Sequence, residues 1–421
     1  MSDIGSLRYT TSEGDAGLDH VVVVGAGQAG SSLCETLRAE GYEGRLTLIG
    51  AEPVPPYQRP PLSKGYLLGE LSRERLFLRP EAFYAEQDID LRLGQGVDGI
   101  DTAGRTVGLG GERLAYDTLA LTTGLAPRRL PADMGGDLAG VFGVRSLGDV
   151  DAMSGALGRS RRLLVVGGGY IGLEAAAVAR TLGLEVTLIE AGQRILGRVA
   201  APETSDYFRT LHSANGVEIR EALALDRLVG ENGRVAGAIL GDGTEIPCDM
   251  AIVGIGLLPR CAIAEDAGIA VENGIAVDAF GRTSVPDVWA AGDCAALEIG
   301  GARVRLESVQ NAIDMGEGVA RNMLGAEIPY RPMPWFWSDQ YDVKLQIAGL
   351  NTGYDRIVVR EGDKPGARSH WYFAAERLLA VDAMNDGRAY MVGKRLLEAG
   401  RSPEPAAVSD RDGDIKALLR A

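Results

Sequence analysis

Cysteine is scarce: 421 residues carry four, at Cys34, Cys248, Cys261 and Cys294. No two form a C-x-x-C or similarly close pair, which excludes the usual zinc spacings and any short-spaced redox disulfide. They read as buried, reduced thiols of a cytoplasmic protein. Histidine is scarcer still, with His20, His212 and His370 the only three. None sits in a motif, so a histidine-based mechanism has no support and each reads as structural or surface. A basic excess is also missing. The formal charge is −15, the opposite of the basic face a nucleic-acid binder needs. No run reaches the roughly 18 apolar residues of a membrane span. The polar segment 1–18 lacks the apolar core of a signal peptide and is expected to be a flexible tail.

Glycine is what the chain has in excess: 58 residues, about twice the usual share of roughly 7%. They fall at the ends of apolar runs, as in an α/β protein with many tight strand-to-helix turns. Two segments share one pattern. The first is His20-Val-Val-Val-Val-Gly25-Ala-Gly27-Gln-Ala-Gly30, then a helix to about Gly41 and a strand Arg45–Gly50. The second is Arg162-Leu-Leu-Val-Val-Gly167-Gly-Gly169-Tyr-Ile171-Gly172, then a helix to Gly183 and a strand from Glu185 to Glu190. Each is a strand, a glycine turn, a helix and a second strand, the context in which G-x-G-x-x-G binds a dinucleotide. Gly25 and Gly167 allow the tight turn. Gly27 and Gly169 admit a pyrophosphate close to the backbone and the helix N-terminus, and Gly30 and Gly172 let helix and strand pack. Two such units imply two dinucleotides. Glu190 ends the second unit where a carboxylate accepts from the ribose 2′-OH, which favours NAD(H) over its 2′-phosphorylated form. Glu52, after the first unit, is a looser match for the same role.

The rest of the chain arranges itself around these units. Residues 53–79 read as an ordered, proline-rich and basic loop, with strands near Thr106–Leu109 and Thr118–Thr122. Gly148–Asp151 suggests a hinge into the second unit, and Ala251–Leu258 a buried strand. From Pro334 onward, alternating segments such as Lys344–Gly349 and Arg356–Arg360 imply an antiparallel sheet followed by helices. The tail from Ser402 is expected to be partly extended. The reading is α/β, with two Rossmann-like domains and a C-terminal α+β domain: 1–147 with 277–334, then 148–276, then 335–421.

The segment Pro55-Pro-Tyr-Gln-Arg59-Pro-Pro-Leu-Ser-Lys64 resembles the signature of the ferredoxin reductases of bacterial oxygenase systems. These are the putidaredoxin reductase and biphenyl dioxygenase reductase type, within the glutathione-reductase-like flavoproteins. Thr122-Thr123-Gly124, Gly254-Ile-Gly256, the run from Thr283 to Gly292-Asp293, and Pro334-Trp-Phe-Trp337-Ser-Asp-Gln340 carry the likeness further. The last of these is the most specific, and the resemblance covers about residues 18–400.

What the resemblance implies is an FAD-dependent NADH:ferredoxin reductase with FAD in the first domain and NAD(H) in the second. Arg59 and Arg145 would contact the FAD pyrophosphate, and Asp293 its ribityl and phosphate portion. Lys64 would lie near flavin N5 and Trp337 beside the isoalloxazine ring. Glu174 would pair with Lys64 near the nicotinamide, and Arg198 would lie near the NAD adenosine. Thr123, Gly124, Gln310, Ile171 and Gly256 complete the cofactor-binding set, with no metal. The implied partner is a 2Fe–2S ferredoxin feeding a cytochrome P450 or ring-hydroxylating dioxygenase, with Lys344, Arg303 and Arg305 as docking candidates. The chain is expected to be a cytoplasmic monomer that binds neither nucleic acid nor membrane. An NADH oxidase or rubredoxin reductase on the same scaffold, and a redox-sensing protein resembling apoptosis-inducing factor, remain alternatives.

Overall fold

The computed structural model describes residues 18–420, so the expected tail at 1–18 lies outside them save for Leu18. The chain divides into two compact units. One comprises the segments up to Tyr57, Phe77–Leu125 and Pro259–Pro332; the other comprises Gln58–Leu76, Ala126–Leu258 and the chain from Met333.

The first unit is built on a five-stranded parallel sheet in the order Val288–Ala290, Thr118–Leu121, His20–Val24, Arg45–Gly50, Ile89–Leu93. Every residue of His20–Val24 is buried. A strand covered on both faces has no wet side, so it reads as an unbroken apolar run. Each such valine contributes about 1.5–3 kcal/mol of burial. The helix Gln28–Ala39 returns the chain, and Val309–Met323 packs against it.

The second unit repeats the scheme with Val217–Arg220, Glu185–Ile189, Arg162–Val166, Met250–Val253 and Val141–Phe142, again all parallel. A three-stranded antiparallel meander precedes Thr118–Leu121 in the first unit and Met250–Val253 in the second, at 99–115 and at 225–247. Gln58–Leu76 belongs with this second unit because its turn Pro60–Ser63 packs on the helices Leu147–Leu157 and Tyr170–Thr181.

Residues 333–420 of the second unit carry a five-stranded antiparallel sheet in the order Trp335–Gln340, Val343–Gly349, Arg377–Met384, Arg368–Ala374, Arg356–Glu361. The helix Gly387–Glu398 covers it, started by Asp386, whose carboxylate accepts from Ala389 N at 3.0 Å. Toward the helix Pro202–Ala214 the sheet presents a buried polar cluster. Asp382 accepts from Thr204 Oγ1 at 2.8 Å and from the Tyr372 hydroxyl, and His370 Nδ1 lies 2.7 Å from Thr204 Oγ1. Thr204 has spent its single proton on Asp382, so His370 donates from Nδ1.

Two local expectations are corrected, and the tail expected to be partly extended, as it is at Glu404, Asp410 and Asp414, also carries short helical turns. Residues 148–151 are no hinge but the start of the helix Leu147–Leu157, set by a capping box in which Ser146 and Asp149 satisfy each other's backbone N–H. The apolar run from Ala251 ends as a strand at Val253, the chain bends over 254–256 with Gly256 at φ +112, and it resumes as the short strand Leu257–Pro259. The tail beyond Ser402 forms the short helix Pro405–Ser409 and a 3-10 turn at Ile415–Leu419. The buried Arg360 guanidinium anchors it by donating to the carbonyls of Val408 (3.0 Å) and Gly413 (2.7 Å).

Candidate functional site

In the first unit the candidate residues gather where parallel strands end, the position at which open α/β sheets bind ligands. Gly25 follows His20–Val24 with φ +120, and a Cβ there would sit 2.2 Å from Thr122 O. A Cβ on Gly30 would sit 2.2 Å from Gly25 O, whereas one on Gly27 would meet nothing within 4 Å. Two glycines are thus required by the protein itself, and the third leaves open space. Glu52 follows the next strand and accepts from Tyr57 OH at 2.6 Å. Thr123 and Gly124 end Thr118–Leu121, with Thr123 Oγ1 donating to Arg260 O at 2.7 Å. Asp293 follows Gly292, whose Cα faces Ala29 in the first turn of the glycine-led helix. Gln310 lies in the first turn of Val309–Met323 and donates to Asp314.

The second unit repeats the turn. A Cβ on Gly167 would meet Gly254 O at 2.4 Å and one on Gly172 would meet Gly167 O at 2.1 Å, while Gly169 again faces open space. Ile171 lies in the first turn of the following helix. Glu190 closes over this loop, its Oε2 accepting from Gly168 N at 2.7 Å and its Oε1 from Gly192 N at 2.6 Å. Those two bonds leave carboxylate lone pairs for a ribose hydroxyl. Arg128 Nε and Arg198 Nη2 each lie 3.8 Å from where a Cβ on Gly256 would be, two cations converging beside the loop.

Both glycine-turn helices test well for a phosphate. Gln28–Ala39 and Tyr170–Thr181 begin on Gly27 and Gly169 with no side-chain cap and no acidic residue in the first turn. By contrast Ser146, Ser308 and Asp386 cap the helices that follow them. An uncapped, dipole-positive N-terminus beside open space is a built anion site.

The second unit also holds a charged cluster. Lys64 Nζ lies 3.2 Å from Glu174 Oε1 and 3.0 Å from Asp339 Oδ2, and 6.0 Å from the centre of the Trp337 ring. Glu174 is 5% exposed and accepts from Ser63 Oγ and Ser338 Oγ at 2.6 Å each. Burial pushes its carboxyl above the usual range, and the facing Lys64 cation and the two serines pull back. Trp335 stacks near Trp337 at 5.6 Å between ring centres. Arg59 Nη1 donates to Arg145 O at 2.8 Å, which brings those two residues together.

Ser63, Ser338, Asp339, Gln340 and Arg128 were not singled out by the sequence. For two of them a signal was present. In the strand Trp335–Gln340, Trp337 and Asp339 share one face while Ser338 and Gln340, both fully buried, share the other. Polar side chains on a buried face need a polar partner. The docking candidates divide. Lys344 is exposed, but Arg303 donates to Val277 O at 2.6 Å, and Arg305 to Asn273 O at 2.5 Å and Glu307 at 2.6 Å. Those two also brace their own loops.

Residues 19–316 match the pyridine nucleotide-disulphide oxidoreductase family and residues 335–419 the reductase C-terminal family. The chain is 43% identical over 390 residues to a ferredoxin–NAD(P)+ reductase of Sphingomonas sp., covering 91% of this chain and 94% of that one. It is 38% identical to the putidaredoxin reductase of Pseudomonas putida, covering 96% and 97%. The solved covalent complex of putidaredoxin reductase with putidaredoxin superposes with a TM-score of 0.91 at 38% identity, covering 96% of this chain and 98% of that one. Among the described residues no helix is long and apolar enough to cross a membrane.

Proposed function

The chain belongs to the pyridine nucleotide-disulphide oxidoreductase family, and we propose that it oxidises NADH and reduces a 2Fe–2S ferredoxin that serves a P450 or ring-hydroxylating oxygenase. It is a flavoprotein oxidoreductase that uses FAD and NAD(H). The observation that carries the reading is the Lys64 cation, 18% exposed, clamped by Glu174 and Asp339 beside Trp337. A half-buried cation so held is pre-positioned to stabilise developing negative charge. The four cysteines are all buried and free, so none is held in a disulfide.

For FAD we assign Gly25, Gly27, Gly30, Glu52, Arg59, Lys64, Thr123, Gly124, Arg145, Asp293, Gln310 and Trp337. For NAD(H) we assign Gly167, Gly169, Ile171, Gly172, Glu174, Glu190, Arg198 and Gly256. Lys64, Glu174 and Trp337 serve the reaction itself. FAD held by these residues would supply the hydride-accepting and single-electron-releasing chemistry that links NADH to a ferredoxin. Lys64 supplies a fixed positive charge, Glu174 and Asp339 hold it in place, and Glu190 accepts from the adenosine ribose while repelling a 2′-phosphate. The functional partition follows the cofactors, with an FAD domain at 1–147 and 277–334, an NAD domain at 148–276 and a C-terminal domain from 335. Buried reduced thiols suit the cytoplasm, where we place the protein.

The test is NADH consumption by the purified yellow protein with 2Fe–2S ferredoxins, with rubredoxin and with air alone. Fast turnover with a ferredoxin supports the reading. Turnover with rubredoxin only, or equal turnover with no carrier, refutes it in favour of a rubredoxin reductase or an oxidase.

A further inference from the structure

We propose that His212 and Gln340 are positioning residues that, through Ser338, aim an unbroken line of hydrogen-bond donors at Glu174 and hold it as the anion facing Lys64. The inference rests on the role given to Glu174 above. His212 Nε2 lies 2.8 Å from Gln340 Oε1, Gln340 Nε2 lies 3.1 Å from Ser338 Oγ, and Ser338 Oγ lies 2.6 Å from Glu174 Oε1. His212, Gln340 and Ser338 are all fully buried, out of reach of bulk solvent.

The direction of the line follows from which atoms can donate. The Ser338 hydroxyl has one proton and two neighbours, an amide nitrogen and a carboxylate oxygen. An amide NH2 cannot accept, so the proton goes to Glu174 and Gln340 donates to the serine oxygen. Gln340 must then accept at Oε1, which requires His212 to carry its proton on Nε2. Burial lowers the His212 pKa, so the ring is neutral with one N–H to give. Its Nδ1 is buried without a partner, and a proton placed there would be a wasted donor. Tyr341 lies against the ring at 5.1 Å between centres and helps fix its plane.

Donors aligned in one sense polarise one another, and the line ends on a carboxylate that burial would otherwise drive toward its neutral form. Lys64 is the charged group facing Glu174, and Asp339 lies on the far side of that lysine. Losing the line weakens the anion and with it the grip on Lys64. If instead the Gln340 amide were turned over, Ser338 would donate to Gln340, and His212 would have to accept at Nε2 with its proton on Nδ1. The tautomer of one histidine therefore reports the direction of the whole relay.

The first measurement is nitrogen NMR of histidine-labelled, FAD-loaded protein, a spectrum of only three residues, with His212→Gln to identify the resonance. The Nε2–H tautomer supports the proposal and the Nδ1–H tautomer overturns it, without any need for a variant to turn over. The second is the pH profile of anaerobic flavin bleaching by NADH for Gln340→Leu, His212→Gln and Glu174→Gln. Gln340→Leu should move the acid limb to higher pH and slow bleaching about tenfold near neutrality, the loss expected for a buried bond that supports a charge. His212→Gln keeps an N–H donor and should restore the profile. Slowing in Glu174→Gln with no movement of the limb in Gln340→Leu refutes the relay alone. No slowing in Glu174→Gln refutes the role of Glu174 itself, and the relay with it.

Discussion

Replacing Asp382 with asparagine should change how stability depends on pH, with a sign and size set by the buried cluster. The Asp382 carboxyl is 1% exposed, and burial pushes its pKa from 3.8 up to about 6 against the pull of bonds from Tyr372 and Thr204. Across that window the folded chain keeps a proton that the unfolded chain has released. Stability therefore falls as pH rises, by about 1.4 kcal/mol per unit and on the order of 3 kcal/mol in all. His370 acts with the opposite sign. Burial holds it down from 6.5 to about 4, so the unfolded chain binds the extra proton and stability rises with pH. Between about pH 4 and 6 the two slopes oppose one another in the wild-type protein. Asp382→Asn keeps an acceptor for Tyr372 and Thr204 but removes the carboxyl proton, leaving the His370 slope uncovered. Relative to wild type, the variant should gain on the order of 3 kcal/mol between about pH 4 and pH 7. Urea unfolding of both proteins, followed by tryptophan fluorescence, measures this, since Trp371 is buried in the same sheet. Any pH-independent cost of the amide cancels in the comparison. A constant gap between the two proteins across the range would show Asp382 ionised in the fold and refute the reasoning.

Two further outcomes follow from the cofactor sites. Asp293→Ala should be purified with most of its FAD lost, read from the ratio of flavin to protein absorbance; a fully yellow variant removes Asp293 from the site. Glu190→Gln keeps an acceptor for the loop but drops the charge. It should raise the NADPH-to-NADH ratio of kcat/KM at least about tenfold, as expected when a like charge facing a phosphate is neutralised; an unchanged ratio places the ribose elsewhere.

The sequence announced what lies close together along the chain. Both strand–turn–helix units stand where the glycine spacing put them, because a strand buried on both faces must be continuously apolar and the turn must be glycine. The strands of the C-terminal sheet were legible for a related reason, their alternation being visible in runs such as Arg356–Glu361. Gly148–Asp151 reads as a hinge from its glycine, but the Ser146–Asp149 capping box starts a helix one residue earlier. The charged cluster was only half legible. The likeness to a known family pointed to Lys64, Glu174 and Trp337, but the partners are brought together by folding across long stretches. Ser338 is 164 residues from Glu174, and Asp339 is 275 from Lys64. No local pattern encodes such a pairing. The nearest hint was a run of polar side chains on the buried face of a strand.

The most direct test of the central claim is anaerobic stopped-flow mixing of NADH with the wild-type protein and with Lys64→Met, followed by a 2Fe–2S ferredoxin. The account predicts rapid bleaching of the wild-type flavin and fast reoxidation by the ferredoxin. The variant should stay yellow and bleach about 100-fold more slowly, the loss expected when a pre-positioned charge is removed. Equal bleaching rates in the two proteins would contradict it.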